Sequence, residues 1–134
     1  MDSGYEEIEH TADLELHVWA SDMAGLLEQA ARGMYSLTET SIAGLPREKR
    51  TVIIPITGRE IVIVDFLEEL LFFMENGGIG FDKFQISKQG ERWIIYLEGA
   101  PIHECAKEIK AVTFHGIDVR ETDSGLEVNI VFDV

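Results

Sequence analysis

Apolar and polar residues alternate over residues 14–20, Leu-Glu-Leu-His-Val-Trp-Ala, which predicts a half-buried strand with Leu14, Leu16 and Val18 on one face. The period then lengthens. Met23, Leu26, Leu27, Ala30, Met34 and Leu37 recur at helical spacing, so residues 22–37 read as an amphipathic helix, with Ser21 as the N-cap and Asp22 in its first turn. Residues 38–50 hold Ser, Thr, Gly44, Pro46 and several charges and read as a loop. Residues 51–57 are rich in β-branched side chains, and Pro55 there suggests an edge strand or a bulge. From Ile61 to Glu75, strand-like Ile61-Val62-Ile63-Val64 runs into Phe66, Leu67, Leu70, Leu71 and Met74 at helical spacing. With Asp65, Glu68, Glu69 and Phe72 on the opposite face, this is one buried helix, closed by Asn76-Gly77.

Two alternating runs, 81–88 and 92–99, flank Gln89-Gly90 and predict a hairpin. Residues 101–107 read as a loop, and a second strand pair, 109–119 and 126–134, encloses the turn signal at 121–125. The order is strand, helix, strand, helix and then paired strands, with no internal repeat or linker. It predicts one α+β domain over residues 1–134, a two-layer sandwich of a largely antiparallel sheet with both helices on one face.

Composition narrows the function. A chain of 134 residues, 46% hydrophobic, can bury a core of its own. No apolar run reaches the roughly 20 residues of a membrane helix. The acidic start Met1-Asp2-Ser3-Gly4-Tyr5-Glu6-Glu7 lacks the character of a signal peptide. A single cysteine, Cys105, leaves no intrachain disulfide, so a cytoplasmic protein with no membrane partner is expected. The 25 acids against 11 bases give a formal charge of −14, which argues against direct nucleic-acid binding. The same charge suits a divalent cation or a basic protein partner, or serves only solubility.

Several motifs hold residue types that can carry chemistry. Gly77-Gly78-Ile79-Gly80 follows a helix and precedes a strand, the reverse of a phosphate cradle, and reads as a turn. His103 and Cys105 are too few for structural zinc, and a nucleophile pairing Cys105 with His115 or His10 has no local signature. In Lys110-Ala111-Val112-Thr113-Phe114-His115, alternation puts Lys110, Val112 and Phe114 on one face and Ala111, Thr113 and His115 on the other. The second group reads as a solvated surface or as a polar patch open to a partner. His10-Thr11-Ala12-Asp13 has the composition of a turn before a strand. If it meets the other end of the sheet, Asp13, Asp133 and a carboxylate of Val134 make an oxygen-rich site for a hard cation, open because three donors fall short of the six to eight that calcium takes.

Four segments together, His10-Thr11-Ala12-Asp13, Phe66-Leu67-Glu68-Glu69-Leu70-Leu71, Ile109 to His115 and Val131-Phe132-Asp133-Val134, resemble the archease family in order and spacing along the whole chain. Three positions depart from its pattern: Phe66 and Glu68, where Phe66-Leu67-Glu68 stands for Trp-Leu-Asn, and Phe114, which stands for the commoner Tyr. The resemblance implies a non-catalytic protein cofactor of the RtcB-type RNA ligase that joins tRNA halves. It further implies promotion of guanylylation of the ligase's histidine, multiple turnover and broader nucleotide use. The same resemblance implies a divalent-cation site at Asp13, Asp133 and Val134, described with calcium, with magnesium or manganese as other occupants. His10, Lys110, Thr113 and His115 are the candidates for supporting the carboxylates or touching the partner. Two other readings stand beside this one: a metal-dependent phosphodiester or nucleotide hydrolase using Asp13 and Asp133 with His115 as base, and a general chaperone for nucleic-acid enzymes.

Overall fold

The computed structural model describes residues 2–8 and 13–134. In chain order the elements are β1 (Gly4–Ile8), β2 (Leu14–Ala20), α1 (Met23–Leu37), β3 (Thr40–Ile42), β4 (Glu48–Pro55), α2 (Arg59–Gly77), β5 (Ile79–Gln89), β6 (Arg92–Cys105), β7 (Ala111–Val112), β8 (Arg120–Thr122) and β9 (Gly125–Asp133). The α+β sandwich expected from the sequence forms, with its strands divided between two sheets and every pairing antiparallel. In the first sheet β9 is central: β2 and then β1 lie on one side, and β7 and β8 pair with it as well. In the second sheet β6 pairs with β3, β4 and β5.

The helices pack on each other and touch both sheets. α1 buries Leu26, Leu27, Ala30, Ala31, Met34 and Leu37 against them. Its N-cap is Asp22 rather than Ser21. The Asp22 carboxylate accepts the Gly25 N–H at 2.8 Å, which satisfies one of the donors that the first helical turn leaves open. α2 runs on to Gly77 and is capped by Gly78, whose φ of 61° is a left-handed conformation that a residue without Cβ adopts at little cost. Val62, Ile63, Val64, Phe66, Leu67, Leu70 and Leu71 are buried, so an apparent strand signal at 61–64 belongs to a helix covered on several sides. Asp65, Glu69 and Phe72 form its exposed stripe, as their spacing predicts.

Three further expectations are corrected, and one strand absent from them is added. β1 forms although its Glu6-Glu7 pair breaks the alternation. It is an edge strand on β2, and helix α1 approaches closely at Gly33, where a Cβ would lie 2.5 Å from Leu16 Cδ2. Residues 101–105 extend β6 instead of looping. Pro101 needs no ladder donor, its carbonyl accepts the Ala43 N–H at 2.8 Å, and the next N–H, of Ile102, reaches Gly78 O at 2.7 Å. Residues 109–119 are not one strand. Only Ala111–Val112 and, later, Arg120–Thr122 pair with β9, and the chain between them bulges away. Ile117 N–H meets Phe114 O at 3.3 Å there, and Gly116 has a φ of 67°. Phe114 is therefore exposed rather than sharing a buried face with Val112. The predicted loop at 38–50 contains β3 and the start of β4, and β4 is the edge strand that Pro55 indicated.

Candidate cation site at the end of the first sheet

The register of β2 on β9 decides whether the two halves of the candidate site meet. Leu14 lies opposite Phe132, Leu16 opposite Ile130 and Val18 opposite Val128, all with side chains toward the core. The register ends at the Leu14–Phe132 pair, and Asp13 and Asp133 are the chain neighbours of those two residues. On the other flank of β9, Ala111 of β7 is the partner of Asp133. Asp133 is thus held in the middle of three chain segments, and its main chain is fixed by the Lys110 N–H, which donates to Asp133 O at 2.8 Å. Asp13, Asp133 and Val134 are all exposed, Val134 at 42%.

The supporting candidates divide. Thr113 is half-buried beside this end of the sheet; its N–H donates to Val131 O at 3.0 Å and its hydroxyl accepts the His115 N–H at 3.3 Å. Lys110 contributes its main chain, while its side chain is exposed. His115 sits exposed at the turn, two residues beyond Thr113. His10 lies outside the described residues, as do Thr11 and Ala12 of the same motif.

Two carboxylates that spacing alone did not assign a role hold this end in place. Glu68 of α2 accepts the Val112 N–H at 2.9 Å, and Glu60, in the first turn of the same helix, accepts the Val119 N–H at 2.8 Å. The first bonds a donor of β7 and the second a donor just before β8, so the two flank the bulge on either side. The bond from Val119, aided by one from its own main chain, holds the Glu60 carboxyl below its ordinary value. The available signal was Glu68 within the helix motif, but its target could not be read from the chain.

Toward β1 the outer face of the first sheet stays acidic. Glu15 accepts from Asn129 Nδ2 at 2.8 Å, and His17 lies between Glu6 at 3.6 Å and Glu127 at 3.4 Å. Arg120 meets Glu127 at 3.1 Å and keeps its carboxyl below the usual range. Among the described residues no group of three or more His, Cys, Asp or Glu side chains is placed to hold a metal ion. The candidate donors, the carboxylates of Asp13 and Asp133 and main-chain oxygen, are of the kind a hard cation takes. They are fewer than calcium requires, so water or a partner would have to complete the shell.

Fold and site together describe a small acidic α+β domain with an exposed carboxylate pair where two neighbouring strands end. The chain matches the model of the Archease protein family (MTH1598/TM1083) over residues 5–134, and it belongs to that family. It is 34% identical to the protein archease of Methanopyrus kandleri, over 97% of this chain and 99% of that one. It is 30% identical to the protein archease of Methanothermobacter thermautotrophicus, over 98% and 99%. Among solved structures, the solution structure of Methanobacterium thermoautotrophicum protein 1598 superposes with a TM-score of 0.73 at 26% identity, covering 98% of this chain and 99% of that one. The crystal structure of a Thermotoga maritima archease, described as a "possible chaperone", shares the fold with a TM-score of 0.74 at 22% identity and 96% coverage of both chains.

Proposed function

We propose that this protein is a non-catalytic activator of an RtcB-type RNA ligase, acting through a divalent cation held at Asp13, Asp133 and a main-chain oxygen of Val134. The observation that supports the reading is the β2–β9 register, whose last pair, Leu14 and Phe132, consists of the chain neighbours of Asp13 and Asp133, in a chain that matches the archease family over residues 5–134. Asp133 is anchored by Lys110 and the β7 pairing, so its carboxylate is presented from a rigid strand end. Glu60 and Glu68 hold the flanking segment against α2 and keep the site's border in place. A bound cation, calcium by first choice and magnesium or manganese otherwise, supplies positive charge to phosphate oxygens during nucleotidyl transfer. The acidic outer face of the first sheet fits the basic surface that a ligase presents to RNA, and docking there would bring the open site toward the ligase's nucleotide pocket.

The test is guanylylation of the ligase histidine in the presence of wild-type protein, Asp13→Ala or Asp133→Ala. Both variants should lose stimulation, and full stimulation by both would exclude the cation-dependent mechanism. A general chaperone role has separate support in the description of the Thermotoga protein. That reading predicts protection of unrelated nucleic-acid enzymes from aggregation without added cations. A hydrolase would turn over nucleotide or phosphodiester substrates in the absence of any ligase.

A further inference from the structure

The outer face of the second sheet is built differently from the cation-site face and takes no part in the function proposed above. Its register lays out rows across the sheet: Lys49, Glu98 and Lys83; then Thr51, Tyr96 and Gln85; then Ile53, Ile94 and Ser87; then Pro55, Arg92 and Gln89. Tyr96 stands on the middle strand and is 46% exposed, and Ile53 beside it is 52% exposed. Val52, Ile54, Ile95 and Leu97 point the other way, into the core under the helices.

Charge is distributed unusually here. Glu98 is matched by Arg47 at 2.9 Å and Lys83 at 3.8 Å, and Arg47 also pairs with Asp82. Asp82 sits at the β-bulge of β5, where Gly99 crosses so closely that a Cβ would lie 1.8 Å from Gly80 O. The side chains of Lys49 and Arg92 have no ion pair among the described residues, in a chain with 25 acids for 11 bases. Asp82 and Glu98 thus pair with Arg47 and Lys83, and Lys49 and Arg92 stand outside these pairs. Tyr96 lines a hollow of about 520 Å³ with Lys49, Thr51, Lys83, Gln85 and Glu98, to which Arg50, Phe84 and Leu97 of the alternate positions also contribute.

We propose that this face binds a short single-stranded segment of nucleic acid, with a base stacked on Tyr96 and phosphates held by Lys49, Lys83 and Arg92. An exposed aromatic ring on the middle strand of an antiparallel sheet, with cations to either side, is the arrangement that stacks unpaired bases. Thr51, Gln85 and Ser87 supply donors and acceptors for base edges. Successive rows are about 7 Å apart along a strand, a step that one extended nucleotide covers. The chain's net negative charge does not forbid this, because charges beyond about 8 Å are largely screened at physiological ionic strength. An acidic peptide would match the cations but not the ring and its polar neighbours, so nucleic acid is the better occupant.

The test is fluorescence anisotropy with a labelled single-stranded RNA of about ten nucleotides, a duplex of the same length and polyglutamate, each titrated with the full chain at several salt concentrations. The single strand should bind best, with a slope of log affinity against log salt near −2 for three neutralised phosphates. Tyr96→Ala should weaken it about tenfold, and Lys49→Gln with Lys83→Gln should flatten the slope to about −0.7. These side chains are exposed, and unchanged circular dichroism and melting of each variant check that the fold is kept. Absence of binding at low salt, equal binding of polyglutamate or duplex, or indifference to Tyr96→Ala would each overturn the proposal.

Discussion

The outer faces of the two sheets are made of the same antiparallel ladder and carry opposite chemistry. On the first, Glu6, Glu15, Glu127, Asp133 and Asp13 outnumber Arg120 and His17, and the acids continue to the end of the sheet. On the second, Arg47, Lys49, Lys83 and Arg92 outnumber Asp82 and Glu98 around an exposed Tyr96. A formal charge of −14 describes neither face. Net charge governs solubility and long-range steering. What can dock on a given face is decided by the few charges within a screening length of it, and those are arranged by strand register.

The largest effect is expected where both faces share their support. Phe132 is fully buried between β2 and β7, and Phe132→Ala should cost about 3–5 kcal/mol of stability, measured by denaturant unfolding. A loss well under 1 kcal/mol would mean that β9 is not the central strand on which the acidic face is built. Next, Glu68→Ala leaves the half-buried Val112 N–H without its acceptor and should cost about 1–3 kcal/mol. It should also weaken cation binding while leaving the Tyr96 face unaltered, as amide shifts in NMR spectra would report.

Acid should separate the faces further. The Glu60 carboxyl titrates below its ordinary value of 4.5 when folded, so its contribution is complete above that value and is lost as pH falls through the lower, folded one. Hydrogen exchange at Val119 should therefore quicken in that acid range in wild type. In Glu60→Gln it should already be fast near neutrality. The smallest change is expected from Arg47→Ala. Its ion pairs are solvent-screened, so melting should shift little, but Asp82 would lose its partner and the excess of bases on the second face would shrink, narrowing the contrast with the first. Electrophoretic or salt-dependent binding measurements on that variant would show the change that melting does not.

How much of this could be read from the chain depends on which forces shape each segment. β2, both helices and the hairpin at Gln89-Gly90 follow from local periodicity, because each buries one continuous face or turns on one residue. β1 escaped because an edge strand needs only partial cover. With Tyr5 against α1, the acids Glu6 and Glu7 can face outward without a regular pattern. Residues 113–119 show the opposite failure. Their alternation suggests a strand, yet the chain turns at Phe114 to Ile117, and Glu60, 59 positions away, takes the Val119 N–H. At the candidate site the residue types were legible, whereas the pairing of their neighbours Leu14 and Phe132 comes from the β2–β9 register. The basic face was hidden by the same cause, since its rows combine residues from three strands whose order the sequence does not state.

The central claim is that Asp13 and Asp133 hold one cation between them, and calorimetric titration of calcium into metal-free protein tests it most directly. Wild type should bind one ion per chain, and Asp133→Asn, which keeps the side-chain shape and removes the charge, should lose that binding while its melting in the absence of calcium stays unchanged. Binding of equal strength and stoichiometry in Asp133→Asn, or no binding by wild type, would contradict it.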